Sequence, residues 1–254
     1  FAKDIDPAWS PDGRYLVFET DRDGNWELYL LDLATGAETR LTDNPTNDIN
    51  AFWAPDSKSV AFQTDRDGMW QVYTIDIATG EETLMSDGSG DDHDPAFSFE
   101  GDHILFRSYR DGVNSTIYMM DADGQNVTRL SDPRGNATNH TWSPDDSVIA
   151  YQSDLDGDLD IYAYEVEDKE TRLVTDNNIH DYAPTWYCDA PLIVFTSDVV
   201  GDPNIFNTPA LPIEAPAILV DREASQMTFD PADDVYPENN PAEENASREG
   251  NVPP

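Results

Sequence analysis

The chain has 254 residues, and its 52 Asp plus Glu against 14 Lys plus Arg give a formal charge of −38. Such a surplus repels phosphate backbones and anionic lipid surfaces, which argues against nucleic-acid and membrane-surface functions. No apolar run reaches the roughly 18 residues of a membrane-spanning helix. The length suits one all-β domain as well as two smaller domains. Cys188 is the only cysteine, so there is no intramolecular disulfide and no cysteine zinc site, and it reads as a small buried hydrophobe. The chain opens at Phe1-Ala2-Lys3 without an initiator Met or signal peptide, as a mature or excised piece would. The excess of Asp over Glu fits salty or calcium-containing surroundings, and it equally fits a fold with many turns, where Asp is favoured.

In chain order, Asp6 to Gly13 (DPAWSPDG) is an extended run ending in a Pro-Asp-Gly turn, and predicts an innermost strand. Arg14 to Thr20 (RYLVFET) predicts a second strand, rich in aromatic and β-branched residues. Asp21-Arg22-Asp23-Gly24 supplies a hairpin, with Gly24 taking a positive φ. Glu27 to Leu33 predicts a third strand, Ala34-Thr35-Gly36 a turn, and Glu38 to Thr42 a fourth strand. The pattern then recurs. Trp9, Trp53, Phe97, Trp142 and Trp186 are separated by 44, 44, 45 and 44 residues. The same register aligns Phe18, Phe62, Phe106, Tyr151 and Phe195, then Gly24, Gly68, Gly112, Gly157 and Gly201, then Tyr29, Tyr73, Tyr118, Tyr162 and Phe206.

A period of this length built from four antiparallel strands predicts a β-propeller, an all-β fold whose blades bury their apolar faces against each other. The aromatic columns are therefore expected in the core. Five complete blades are expected at about 4–43, 47–87, 91–132, 136–176 and 180–220, with an acidic, proline-rich tail at 221–254. Met227-Thr228-Phe229-Asp230-Pro231 resembles His140 to Pro144, as the start of a sixth inner strand would, but nothing downstream completes it, so a five-bladed ring with a tail is expected, and six blades only if the tail or a partner completes one.

The string Asp6-Pro7-Ala8-Trp9-Ser10-Pro11-Asp12-Gly13, followed by Thr20-Asp21-Arg22-Asp23-Gly24-Asn25, Leu28-Tyr29 and Arg40-Leu41-Thr42, resembles the WD40-like repeat of TolB-type propellers. The likeness covers about residues 4 to 220. Ala54-Pro55-Asp56-Ser57 and Ser98-Phe99-Glu100-Gly101 depart slightly, and repeat five is looser, with Tyr187-Cys188-Asp189-Ala190 at the turn and Pro209, Pro212 and Pro216 in its outer strands. The resemblance implies the fold and leaves function open, because such repeats also accompany peptidase domains.

The sequence contains no catalytic constellation. A Gly-x-Ser-x-Gly elbow is absent, and His93, His103, His140 and His180 lack metalloprotease spacing. The residue three before each aromatic anchor reads Asp6, Asn50, Asp94, Asn139 and Ala183, with Gln226 in the partial copy; two positions earlier stand Asp4, Asp48, Asp92 and Asp181. Propeller symmetry would gather these oxygens around one axis, where they either coordinate a hard cation such as calcium or cap loops and stay hydrated. Asp154 to Asp160 (DLDGDLD) resembles a compact calcium loop but aligns with the ordinary hairpin of the other blades, and so reads as a turn. Asn114, Asn126, Asn136, Asn139 and Asn245 open N-glycosylation sequons. The expectation is a non-catalytic secreted, cell-surface or periplasmic scaffold that binds a protein or itself, as an oligomer or filament, through loops and tail. No cofactor is required beyond the calcium alternative. The competing expectation is the propeller of a processed hydrolase, or a polysaccharide-binding protein.

Overall fold

Each copy of the repeat folds as one four-stranded antiparallel sheet with its strands in chain order. The structure, a computed structural model, describes residues 2–187, 191–198 and 203–210, together with the backbone of Ser225 and Gln226. The innermost strands are Asp4–Trp9, Asp48–Trp53, Asp92–Phe97, Ala137–Trp142 and Asp181–Trp186. The second strands are Tyr15–Thr20, Ser59–Thr64, His103–Ser108, Val148–Ser153 and Leu192–Ser197, and the third are Glu27–Asp32, Gln71–Asp76, Thr116–Asp121, Asp160–Glu165 and Asn204–Pro209. Ala37–Arg40, Glu82–Leu84, Thr128–Arg129, Glu170–Leu173 and Ser225–Gln226 are the outermost.

Second and third strands read as apolar runs because they are covered on both faces by neighbouring sheets. Val60, Ala61 and Phe62, then Ile104, Leu105 and Phe106, are fully buried. From the second sheet on, each innermost strand packs against strands of the preceding sheet, and three of the aromatic anchors tie the two sheets together through an indole nitrogen. Nε1 of Trp53 donates to the Ala8 carbonyl at 3.0 Å, Trp142 to Ala96 at 3.3 Å and Trp186 to Thr141 at 3.3 Å.

Trp9 departs from the expected core column. It is 64% exposed, whereas Trp53, Trp142 and Trp186 are buried. The reason is positional: among the described residues no sheet precedes the first, so its indole has no carbonyl to reach and no apolar face to meet. Packing of comparable extent does not join the fifth sheet to the first among those residues.

The fifth sheet corrects the expected boundary at 220. Its outermost strand is Ser225–Gln226, which pairs Phe206 with Gln226 and Asn207 with Ser225. In the other sheets the equivalent partners, such as Tyr29 with Arg40, lie 11 residues apart, against 20 here. Gln226 therefore belongs to the rim of the fifth sheet and not to the inner strand of a sixth. Met227–Pro231, Pro212, Pro216, Gly201, Cys188 and the tail after Gln226 lie outside the described residues.

Candidate functional site

The innermost strands share one backbone device. Asp6, Asn50, Asp94, Asn139 and Ala183 adopt φ values of 47°, 55°, 54°, 52° and 52°. At each of these positions the pairing with the second strand slips by one residue, for example between Ile5 and Ala8, so each is a β-bulge in the left-handed region. Asp and Asn tolerate that conformation better than other residues with a side chain. This accounts for Asp6, Asn50, Asp94 and Asn139 without any ligand, while Ala183 takes the same conformation without such a side chain.

The second strand of one sheet holds the bulge of the next. Glu19 Oε1 accepts from the Asn50 amide at 2.6 Å, Gln63 Oε1 from Asp94 at 2.8 Å and Gln152 Oε1 from Ala183 at 2.7 Å. Asn50 Nδ2 also donates to Asp94 Oδ1 at 2.8 Å, and Arg107 Nε to Asp94 Oδ2 at 2.7 Å. The structure thus brings Asn50 and Asp94 together. Asn139 bonds Gln152 at 3.3 Å, and Asp6 is exposed.

Burial raises the Glu19 carboxyl to about 7, helped by the nearby Asp6 charge, while the Asn50 amide pulls the other way. A carboxyl whose folded pKa is raised binds its proton more tightly in the folded state, so stability falls as pH rises from the unfolded value near 4.3 through about 7. Glu19→Gln keeps the acceptor oxygen and matches Gln63 and Gln152. It should raise the Tm by a few degrees at pH 8 and change it little below pH 4. Equal Tm for the two proteins at pH 8 would contradict this account.

Among the described residues Asp4, Asp48 and Asp92 do not come together as a group close enough to share one ion. Each pairs with an arginine from the hairpin after the second strand: Arg22 with Asp4 at 3.0 Å, Arg66 with Asp48 at 3.2 Å and Arg110 with Asp92 at 3.0 Å. The guanidinium of each also lies over two rings, as Arg110 does over Phe106 at 5.1 Å and Tyr118 at 4.7 Å. Arg22 and Arg66 reach the outermost strand as well, at Glu38 and Glu82. These arginine clamps already neutralise the carboxylates proposed as cation ligands. Asp181 pairs with no arginine among the described residues and accepts from Asn177 Nδ2 at 2.8 Å.

Among the sequon residues, Asn114 Nδ2 donates to the carbonyls of Pro133 and Arg134, Asn126 Nδ2 to Asp121, and Asn136 Nδ2 to Asp154. Asn126, Asn136 and Asn139 are exposed, and Asn245 lies outside the described residues.

At the opposite end of the inner strands is a feature that the repeat columns did not single out. Ala8, Trp9, Phe52, Ala96, Phe99 and Thr141 line a largely apolar cavity of about 300 Å³. Trp9, Phe52 and Phe99 are 64%, 43% and 58% exposed, respectively. The one titratable side chain in its wall is His140, whose Nε2 faces the Asp94 carbonyl at 2.8 Å and whose pKa burial lowers, which keeps the ring neutral. Phe52 and Phe99 stand one residue before and two residues after their anchors, where an exposed aromatic breaks the alternation. That break was the available signal.

A comparison with curated proteins by sequence finds no match. Among solved structures, TolB from Acinetobacter baumannii superposes with a TM-score of 0.64 at 22% identity over 82% of this chain and 52% of that one. A protein from Agrobacterium tumefaciens assigned as TolB gives 0.65 at 24% identity, over 82% and 77%. A puromycin-hydrolyzing peptidase of Mycobacterium tuberculosis gives 0.68 at 14% identity, over 89% of this chain and 38% of that one. The chain spans about half the length of the Acinetobacter protein. At these identities the likeness is one of fold. The family pattern named TolB beta propeller domain (PD40) matches residues 2–92 and 72–178, and with its repeats, sheets and interblade anchors the chain belongs to the TolB β-propeller family.

Proposed function

We propose that the chain is a non-catalytic propeller that binds a protein partner outside the cytoplasm, on a cell surface, in the periplasm or in the surrounding medium. The observation that carries this reading is the apolar cavity of about 300 Å³ flanked by exposed Trp9, Phe52 and Phe99. Exposed aromatics around a preformed apolar pocket are the usual anchor point for a partner's hydrophobic side chain. The rest of the surface is dominated by carboxylates, so a partner with an apolar anchor and a basic rim fits best.

Peptides selected against the immobilised chain from a displayed random library test the proposal. Phe52→Ser with Phe99→Ser should weaken selected peptides by about tenfold or more, with little change in Tm because both rings are exposed. Peptides that bind the double variant as tightly as the parent would refute it, and oligosaccharide binding lost in the same variant would favour the polysaccharide reading.

A further inference from the structure

The hairpin Asp154 to Asp160 of the fourth sheet differs from its counterparts in charge and in hydrogen bonding. In the first three sheets this corner contains two positive or donor groups. One is the arginine clamp. The other is an amide: Asn25 Nδ2 donates to the Glu27 carboxylate and to the carbonyls of Asn44 and Thr46, Gln71 Nε2 to the carbonyl of Gly90, and Asn114 Nδ2 to those of Pro133 and Arg134. These carbonyls belong to the loop that leads into the next sheet. In the fourth sheet Leu155 replaces the arginine, and Asp158 occupies the position of Asn25.

The loop that faces Asp158 is built like its counterpart in the first sheet. Asn177 Nδ2 donates to Asp181 at 2.8 Å as Asn44 Nδ2 donates to Asp48 at 2.5 Å, and the Ile179 amide donates to Asn177 Oδ1 at 2.7 Å as Thr46 does to Asn44 at 3.0 Å. The carbonyls of Asn177 and Ile179 correspond to the two that the Asn25 amide reaches. At this junction Thr175 Oγ1 donates to Asp160 at 2.8 Å, but an acceptor, Asp158, stands where Asn25 donates in the first sheet.

The carboxylates record that conflict. Oxygens of Asp156, Asp158 and Asp160 lie within 4.8 Å of one another. Asp160 is 0% exposed and Asp181 1%. Asp158 Oδ2, Asp160 Oδ2 and Asp181 Oδ1 are buried with no hydrogen-bond partner, and none of these residues makes an ion pair with Lys or Arg among the described residues. A buried carboxylate oxygen without a donor costs roughly 1–3 kcal/mol or more. Calcium takes oxygen ligands at about 2.3–2.6 Å, so two ligands on opposite sides of one ion stand about 4.6–5.2 Å apart.

We propose that Asp156, Asp158 and Asp160, with Asp181 behind them, form a binding site for a hard divalent cation of the calcium class at the junction of the fourth and fifth sheets. The cation does there what arginine and amide do at the earlier junctions: it supplies the positive charge and joins the hairpin to the incoming loop. The carbonyls of Asn177 and Ile179 complete the oxygen set. The site lies at the junction of the fourth and fifth sheets.

The test uses the full chain, stripped with EDTA and held in 0.15 M NaCl. Calcium titration calorimetry should show one site with Kd between about 10⁻⁵ and 10⁻³ M, and calcium should raise the Tm by several degrees beyond NaCl of equal ionic strength. Terbium should give tyrosine-sensitised emission through nearby Tyr162, displaced by calcium. Asp158→Asn recreates the Asn25 arrangement, so it should lower calcium affinity at least tenfold, abolish terbium emission and raise the cation-free Tm. Glu167→Gln, an equal charge change on an exposed turn, should leave all three readouts unchanged. No calcium-specific heat, Tm shift or terbium emission, or undiminished calcium affinity in Asp158→Asn, would overturn the proposal. So would an equal loss in Glu167→Gln.

Discussion

Arg110→Leu alone is expected to cost about 3–5 kcal/mol of folding stability, and Asp92→Ala in the same chain should recover much of that loss. Arg110 is 10% exposed and Asp92 0%, and their bond is 3.0 Å. Removing the guanidinium leaves a buried carboxylate without its counter-charge, the most damaging way to break such a pair. It also removes the cation from the faces of Phe106 and Tyr118. Burial already raises the Asp92 pKa, and Arg110 together with Ser108 counters it. The fourth sheet contains the double replacement naturally: Leu155 stands in the hairpin and Ala137, buried, on the inner strand. Urea denaturation of the parent, both single variants and the double variant gives the coupling energy. Strictly additive losses would mean that the arginine and the aspartate act independently and that the clamp is not a unit.

Phe62→Ala is expected to cost about 3–5 kcal/mol. The ring is fully buried, 6.1 Å from Tyr73 and 5.7 Å beneath the Arg66 guanidinium, and it fills the space between the first two sheets with Val17, Leu28, Trp53 and Ile75. A cavity there is hard to refill because the surrounding side chains belong to two sheets fixed by their own hydrogen bonds. The denaturant midpoint should fall sharply in Phe62→Ala. A loss below about 1 kcal/mol would show that the sheets close up around the gap.

The fold was legible because four columns repeat in register and each has one physical job. The second-strand aromatics sit in the sheets, and Gly24, Gly68, Gly112 and Gly157 in the hairpins, as their spacing requires. The exposure of Trp9 was not legible, because a period describes what one copy does to the next and is silent on a copy that none precedes among the described residues. The role of Asp6, Asn50, Asp94 and Asn139 was half legible. Their shared chemistry marked a special column, but the same residues are demanded by a left-handed bulge, which only backbone angles reveal. The arginine pairing of Asp48 and Asp92 was hidden in a hairpin string that reads as turn chemistry. The hairpin from Asp154 to Asp160 aligned with turns and is one. Its difference lies in what surrounds it, the missing arginine and the facing carbonyls, which become visible only when the junctions are laid side by side. The exposed Phe52 and Phe99 broke the alternation and were passed over beside stronger periodic signals.

The open side of Trp9 changes how the molecule should come apart. In a closed ring every blade has two neighbours, and opening it requires two interfaces to fail together. Among the described residues extensive packing joins the first sheet to one neighbour, and those five sheets follow one another as an array with four interblade interfaces. In such an array stability is set by nearest-neighbour terms and loosening begins at the ends. Sheets two, three and four, each held from both sides, then form the persistent middle, while the first sheet can detach at the expense of a single interface.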